Sequence, residues 1–146
     1  MKKIIFFGLF MLFAIGNVNA QAKGKPKSII STGAGIKKFH EKSELETMQK
    51  GQLLDLYIER INTLVNYLPY IALTTKPGVT MQDVGIPESA DNNKYLEAQK
   101  ENTANFLNTT VAFQRQMTPY ADKGNLVTSI LYYESMLREL NQLNEQ

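Results

Sequence analysis

Residues 52–74, QLLDLYIERINTLVNYLPYIALT, decide the fold. Leu54, Tyr57, Ile61, Leu64, Leu68 and Ile71 recur at alternating spacings of three and four, the period of one helix face. Ile58, Val65 and Ala72 widen that stripe, while Asp55, Glu59, Arg60, Asn62, Thr63 and Asn66 lie mostly off it. Pro69 falls inside the pattern. Its ring removes a backbone donor and crowds the preceding turn, which predicts a kink near Tyr67.

Downstream, residues 75–90 hold Pro77-Gly78, a turn signal, together with Val79, Met81, Val84 and Ile86. Those apolar residues predict a loop packed back over the end of the core. Residues 91–118 read as a second long helix, capped by Asp91 or Asn92. Leu96, Thr103, Phe106, Thr110, Phe113 and Met117 form its expected core stripe, flanked by Leu107 and Val111. Pro119 stops it. A six-residue link, PYADKG, leads to a third helix that carries Leu126, Ile130, Tyr133, Leu137 and Leu140. A link so short predicts antiparallel neighbours, and Asn125 is the expected cap of that third helix.

Upstream, residues 36–50 read as a short helix, with Ser43 and Glu46 at capping-box spacing. Residues 21–35 combine Gly, Pro, Ser and Lys around one apolar pair, Ile29-Ile30, and read as a flexible basic lead-in. No segment alternates with period two. The expected fold is an all-α, small antiparallel bundle of three long helices, or four if residues 36–50 pack on them. Residues 36–146 make one domain.

The N-terminus reads as a cleavable export signal over residues 1–20. Lys2-Lys3 is followed by an apolar run from Ile4 to Ile15, and Val18-Asn19-Ala20 suits a signal peptidase, with cleavage between Ala20 and Gln21. The run is too short to span a bilayer. The expectation is a bacterial protein, exported to the periplasm or secreted, and soluble after cleavage.

Residues 21–42 hold six lysines against Glu41 alone, a net of +5, whereas residues 43–146 hold eight basic and 13 acidic groups, a net of −5. A basic tail precedes an acidic body. The body argues against a nucleic-acid groove. Membrane contact is at most peripheral, through the tail.

Several chemistries are missing. With no cysteine there is no disulfide, thiol nucleophile or thiolate metal site. His40 is the only histidine, and it reads as a half-exposed side chain at the bundle edge. One imidazole excludes the usual zinc and di-iron sets. The chain resembles the soluble periplasmic b-type cytochromes in size and layout, but their last helix supplies a haem-ligating His and this one has none. No G-x-S-x-G turn, Walker loop or G-x-G-x-x-G is present. Leu73-Thr74-Thr75-Lys76 keeps only the first half of the Leu-Thr-x-x-Gln motif of helical periplasmic chaperones. No enzyme, cofactor or metal site is expected.

Seven tyrosines lie beyond the export signal. Tyr packs a ring while its hydroxyl meets water or a partner, so it is common at interfaces. The expected function is that of a non-enzymatic interaction, adaptor or accessory subunit in the cell envelope. Its partner would be another envelope protein or itself as a homo-oligomer. The candidate contact residues are the tail lysines Lys23, Lys25 and Lys27 and the corner Tyr67, Pro69 and Tyr70. The alternative is a carrier or sensor of a small apolar ligand held between the helices, with residues 75–90 as its lid.

Overall fold

The computed structural model describes residues 27–143. The export signal, Lys23 and Lys25 lie outside the described residues. The chain is all-α: α1 (Lys42–Thr47), α2 (Lys50–Tyr67), α3 (Ala90–Met117) and α4 (Lys123–Leu143), with 3-10 turns at Leu68–Tyr70, Gln82–Val84 and Thr118–Tyr120. Among the described residues there is no strand, only an isolated bridge between Ser28 and Thr80.

Local chemistry sets the boundaries. The Gln52 side chain accepts the Gln49 N–H at 2.9 Å and opens α2. The expected cap at Ser43 and Glu46 does not form; α1 starts at Lys42 without a side-chain cap and is followed by an extended Met48. Pro69 ends α2 rather than kinking it. It occupies the second position of a 3-10 turn, where its missing N–H costs nothing. Pro119 sits in the same place after α3. The cap of α3 is Ser89, not Asp91 or Asn92, and its hydroxyl accepts the Asn92 N–H at 3.0 Å.

Helix α2 packs against both α4 and α3, while α3 and α4 scarcely touch each other. The expectation that the short link makes α3 and α4 neighbours is corrected: both use α2 as their support. Lys50 Nζ donates to the Pro119 carbonyl at 2.6 Å, and Arg115 pairs with Asp55 at 3.1 Å. The C-terminus of α3 therefore lies beside the N-terminus of α2, and the two run antiparallel. Two apolar clusters fill the interior. One joins Leu45 and Leu53 to Leu126, Val127 and Ile130. The other joins Ile29, Ile30, Leu64, Tyr67, Tyr70, Met81 and Leu96 to Leu137 and Leu140. Both α2 and α4 pass from the first cluster to the second, so they run in the same direction.

Within the described part of the basic lead-in, the Ile29-Ile30 pair packs into the core. Ile29 and Ile30 are each 1% exposed. The Ile29 N–H donates to Val79 O at 2.7 Å, and the Gly78 N–H donates to Ile30 O at 2.9 Å. Lys100 Nζ donates to Ser28 O at 2.6 Å. Burying an isoleucine side chain contributes roughly 1.5–3 kcal/mol, so the pair outweighs the polar composition around it. Gly78 has φ +88°, and a Cβ there would stand 3.1 Å from Thr32 Cγ2. The turn against residues 30–32 therefore requires glycine. Residues 75–90 pack back as expected, with Met81 buried and Val84 and Ile86 against the core.

Candidate functional site

Three features stand out once the helices are placed. The first is a buried ionic cluster between the two apolar clusters. Arg60 on α2 and Glu134 on α4 are each 1% exposed. Arg60 donates to Glu134 Oε1 through Nε at 2.9 Å and through a terminal nitrogen at 2.6 Å. That nitrogen also donates to the Lys38 carbonyl at 2.8 Å. Glu134 Oε2 accepts the His40 backbone N–H at 2.7 Å, and His40 Nδ1 lies 3.0 Å from Glu134 Oε1. Burial pushes the Glu134 carboxyl up, but the hydrogen bonds from His40 and Arg60 outweigh it and hold the group below its ordinary value. His40 is thus buried, not half-exposed at the edge. Its role is to tie the chain before α1 to α2 and α4. Arg138 extends the same arrangement, its guanidinium stacked 4.3 Å from the centre of the Phe39 ring. Arg60 also pairs with Glu59 at 3.1 Å, and Glu59 lines a groove between Gly33–Gly35 and α2.

The second feature is an apolar cavity of about 280 Å³ at the Tyr-Pro corner. Pro69, Tyr70 and Leu73 form one wall, and Asn92, Tyr95, Leu96 and Gln99 of α3 form the other. Ile29 is at its base, and Met81 and Ile86 come from the 75–90 loop. The Tyr70 hydroxyl is buried with no hydrogen-bond partner. Burial pushes both the Tyr67 and Tyr70 hydroxyls up from their ordinary pKa. A larger groove, of about 420 Å³, lies between Gly33–Gly35 and α2. Asp55, Glu59 and Arg115 line it, and its Asn62, Thr63 and Asn66 side chains each donate to a carbonyl of α2 itself.

The third feature is the outer flank of α3. Only Leu96, Thr103 and Leu107 of its 28 residues are buried. Phe106, Phe113 and Met117, expected in the core, are 56%, 58% and 50% exposed. Tyr95 and Tyr120 are more exposed still. Leu96 and Thr103 of the expected stripe are buried, but the core then continues through Leu107 rather than Phe106. Residues 102–114 carry no charge at all. An exposed helical stretch that is aromatic and uncharged has the composition of an interface core.

The sequence-predicted contact residues fall apart into distinct places. Lys27 is held by an ion pair with Glu97 on α3. Tyr67 and Tyr70 do not project as an aromatic contact: they are 4% and 6% exposed. Apolar neighbours on α4 and in the 27–30 segment cover both rings. Tyr67 donates its hydroxyl proton to Ala34 O at 2.6 Å. Pro69 is exposed and, with Tyr70, lines the cavity. Sequence reading missed Arg60 and Glu134. A signal existed: each sits at an inward helical position, and they carry opposite charge. Among the described residues no helix is long and apolar enough to cross a membrane, and no group of three or more His, Asp or Glu is placed to hold a metal.

No family model, no curated protein and no solved structure matches this chain.

Proposed function

We propose that this chain is a non-enzymatic interaction protein of the bacterial cell envelope, exported by a signal cleaved between Ala20 and Gln21. In this reading α2, α3 and α4 form a small up-down-up bundle, with α1 as a short fourth member, and the working surface is the open flank of α3. One observation carries the proposal: Phe106, Phe113 and Met117 are half-exposed or more on a helix that carries no charge from residue 102 to residue 114. A solvated helix face is ordinarily charged, and a contiguous apolar patch marks a docking surface. Lys23 and Lys25 would add electrostatic attraction to an acidic partner or to anionic headgroups.

The test is a photo-activatable side chain at Phe113, with one at exposed Glu139 of α4 as control, in cells that express the protein with its own leader. A discrete adduct from position 113 and none from position 139 is the expected result. Equal labelling at both sites, or none, would sink the interaction reading.

A second reading rests on the cavity. Its apolar walls and the loop over it suit a carrier of a small apolar ligand. Native mass spectrometry of protein from its own cells separates the two. A bound small-molecule mass that Leu73→Trp removes would favour the carrier.

A further inference from the structure

We infer that the partner of the α3 flank is a second copy of this chain, its α3 laid antiparallel and centred on Phe106, so that each copy covers the cavity of the other. This rests on the interaction reading and names its partner. Three observations lead to it.

The first is a mirrored register. Three of the four α3 residues that line the cavity, Asn92, Tyr95 and Gln99, lie 14, 11 and 7 residues before Phe106; the fourth, Leu96, is buried beneath them. The exposed apolar residues Phe113, Met117 and Tyr120 lie 7, 11 and 14 residues after it. At about 1.5 Å per helical residue, the hole and the projecting side chains stand equally far from Phe106, roughly 10–21 Å on either side. Turning one copy about a two-fold axis at Phe106 sets Phe113 over Gln99, Met117 over Tyr95 and Tyr120 over Asn92. A two-fold interface demands this pattern, in which i meets j and j meets i. At about 100° per residue, the helical positions from Tyr95 to Met117 share one narrow strip, so the mirrored residues face the same way. Tyr120 follows in the 3-10 turn and closes the end.

The second is charge. Tyr95, Gln99, Phe106, Phe113 and Met117 are all uncharged, so two copies meet without repulsion or the stripping of water from an ion. The antiparallel arrangement also opposes the two helix dipoles favourably.

The third is area. With roughly 200 Å² for each large side chain, the exposed fractions of Tyr95, Phe106, Phe113, Met117 and Tyr120 leave about 600 Å² open. A standard stable interface buries about 800 Å² on each side. The cavity walls and the small residues between the aromatics supply the remainder. A Met or Tyr side chain seated in an apolar pocket is the anchor such interfaces use.

The chain contains no cysteine, so single engineered thiols report cleanly. Phe106→Cys is expected to link to itself across the axis under mild oxidation, because facing helices bring such positions within disulfide reach. Gln99→Cys and Phe113→Cys are each expected to link poorly alone and efficiently when mixed. Sedimentation of the unmodified protein should give the mass of two chains, and Phe106→Glu should return it to one. Phe106 is half-exposed, so the circular dichroism spectrum of that variant should match the parent and exclude misfolding. A one-chain mass at every concentration, or no gain on mixing the two thiol variants, would overturn the pairing. If the Phe113 photo-probe then captures a different protein, the interaction reading survives and the second copy does not. If it captures nothing, both fall.

Discussion

Glu134 is the residue on which most of the interior polar chemistry converges. It accepts from Arg60 and from the His40 backbone, and its side chain is almost wholly enclosed. Removing it takes away the buried counter-charge of Arg60 and leaves only the half-exposed Glu59 beside it. Glu134→Ala is therefore expected to lower unfolding free energy by about 3–5 kcal/mol, read from urea denaturation. Replacing both partners, as Arg60→Met with Glu134→Leu, should recover part of that loss, because an apolar pair needs no counter-charge, while the His40 N–H and the Lys38 carbonyl each lose a partner. Tyr70 predicts the opposite sign. Its hydroxyl has no partner, so Tyr70→Phe is expected to leave stability unchanged or raise it by about 1 kcal/mol, a shift visible in the melting temperature. At this scale little of the interior was legible beforehand. Arg60 sits where Leu53, Tyr57, Leu64 and Tyr67 set a spacing of four, three, four and three, but the adjacent Ile61 offered an equally good stripe. A charged side chain enters a core only when a partner is waiting, and that partner lies 74 residues away.

Among the elements, composition misled where one short apolar pair outweighed its surroundings. Ile29 and Ile30 sit in a Gly-, Ser- and Lys-rich stretch that reads as solvated, yet their burial anchors the segment beneath the 75–90 loop. Ile30→Ala is expected to cost about 2–5 kcal/mol, and to raise proteolytic cleavage within residues 75–90 as the loop loses its backing. The long helices were readable because a repeat of three and four over many residues has few competing explanations. Their ends were less so: a proline that closes a helix with a 3-10 turn and one that kinks it look alike in sequence. In α3 the two phenylalanines drew the expected core stripe toward themselves. The structure keeps Leu96 and Thr103 inside as expected, but continues the stripe through the smaller Leu107. The flank was invisible to sequence reasoning because it needs the knowledge that α3 rests on α2 alone. The cavity was invisible because it needs three segments brought to one corner.

For the molecule as a whole, the titrations that favour the fold lie at the two ends of the pH scale. Glu134 is held below its ordinary value of 4.5. Its contribution is complete above that value and is lost as pH falls through the lower folded one. Burial, together with the hydrogen bond and charge of Tyr133, pushes Tyr57 up to about 12 from 10.0. The two rings stack with centroids 5.6 Å apart. That contribution is complete below pH 10 and is lost as pH rises toward 12. Urea midpoints should therefore be level across the middle range, fall below pH 4.5 and fall again above pH 10. Glu134→Gln should flatten the acid limb. Tyr57→Phe should flatten part of the alkaline limb, with Tyr67 and Tyr70 supplying the rest. A single steep loss between pH 6 and 8 would contradict this account.

The buried cluster also bears on the order of events during synthesis. The His40 backbone and Glu134 are 94 residues apart in sequence, and Arg60 lies between them with its charge committed to the later residue. A chain that has emerged only as far as α3 has an arginine it cannot bury and a second apolar cluster lacking Leu137 and Leu140. Closing contacts this distant pays loop entropy before it gains burial, so native structure arrives late. A polypeptide threaded end-first through an export channel, as proposed, would stay pliable until almost all of α4 had passed. It would then lock in one step on the far side.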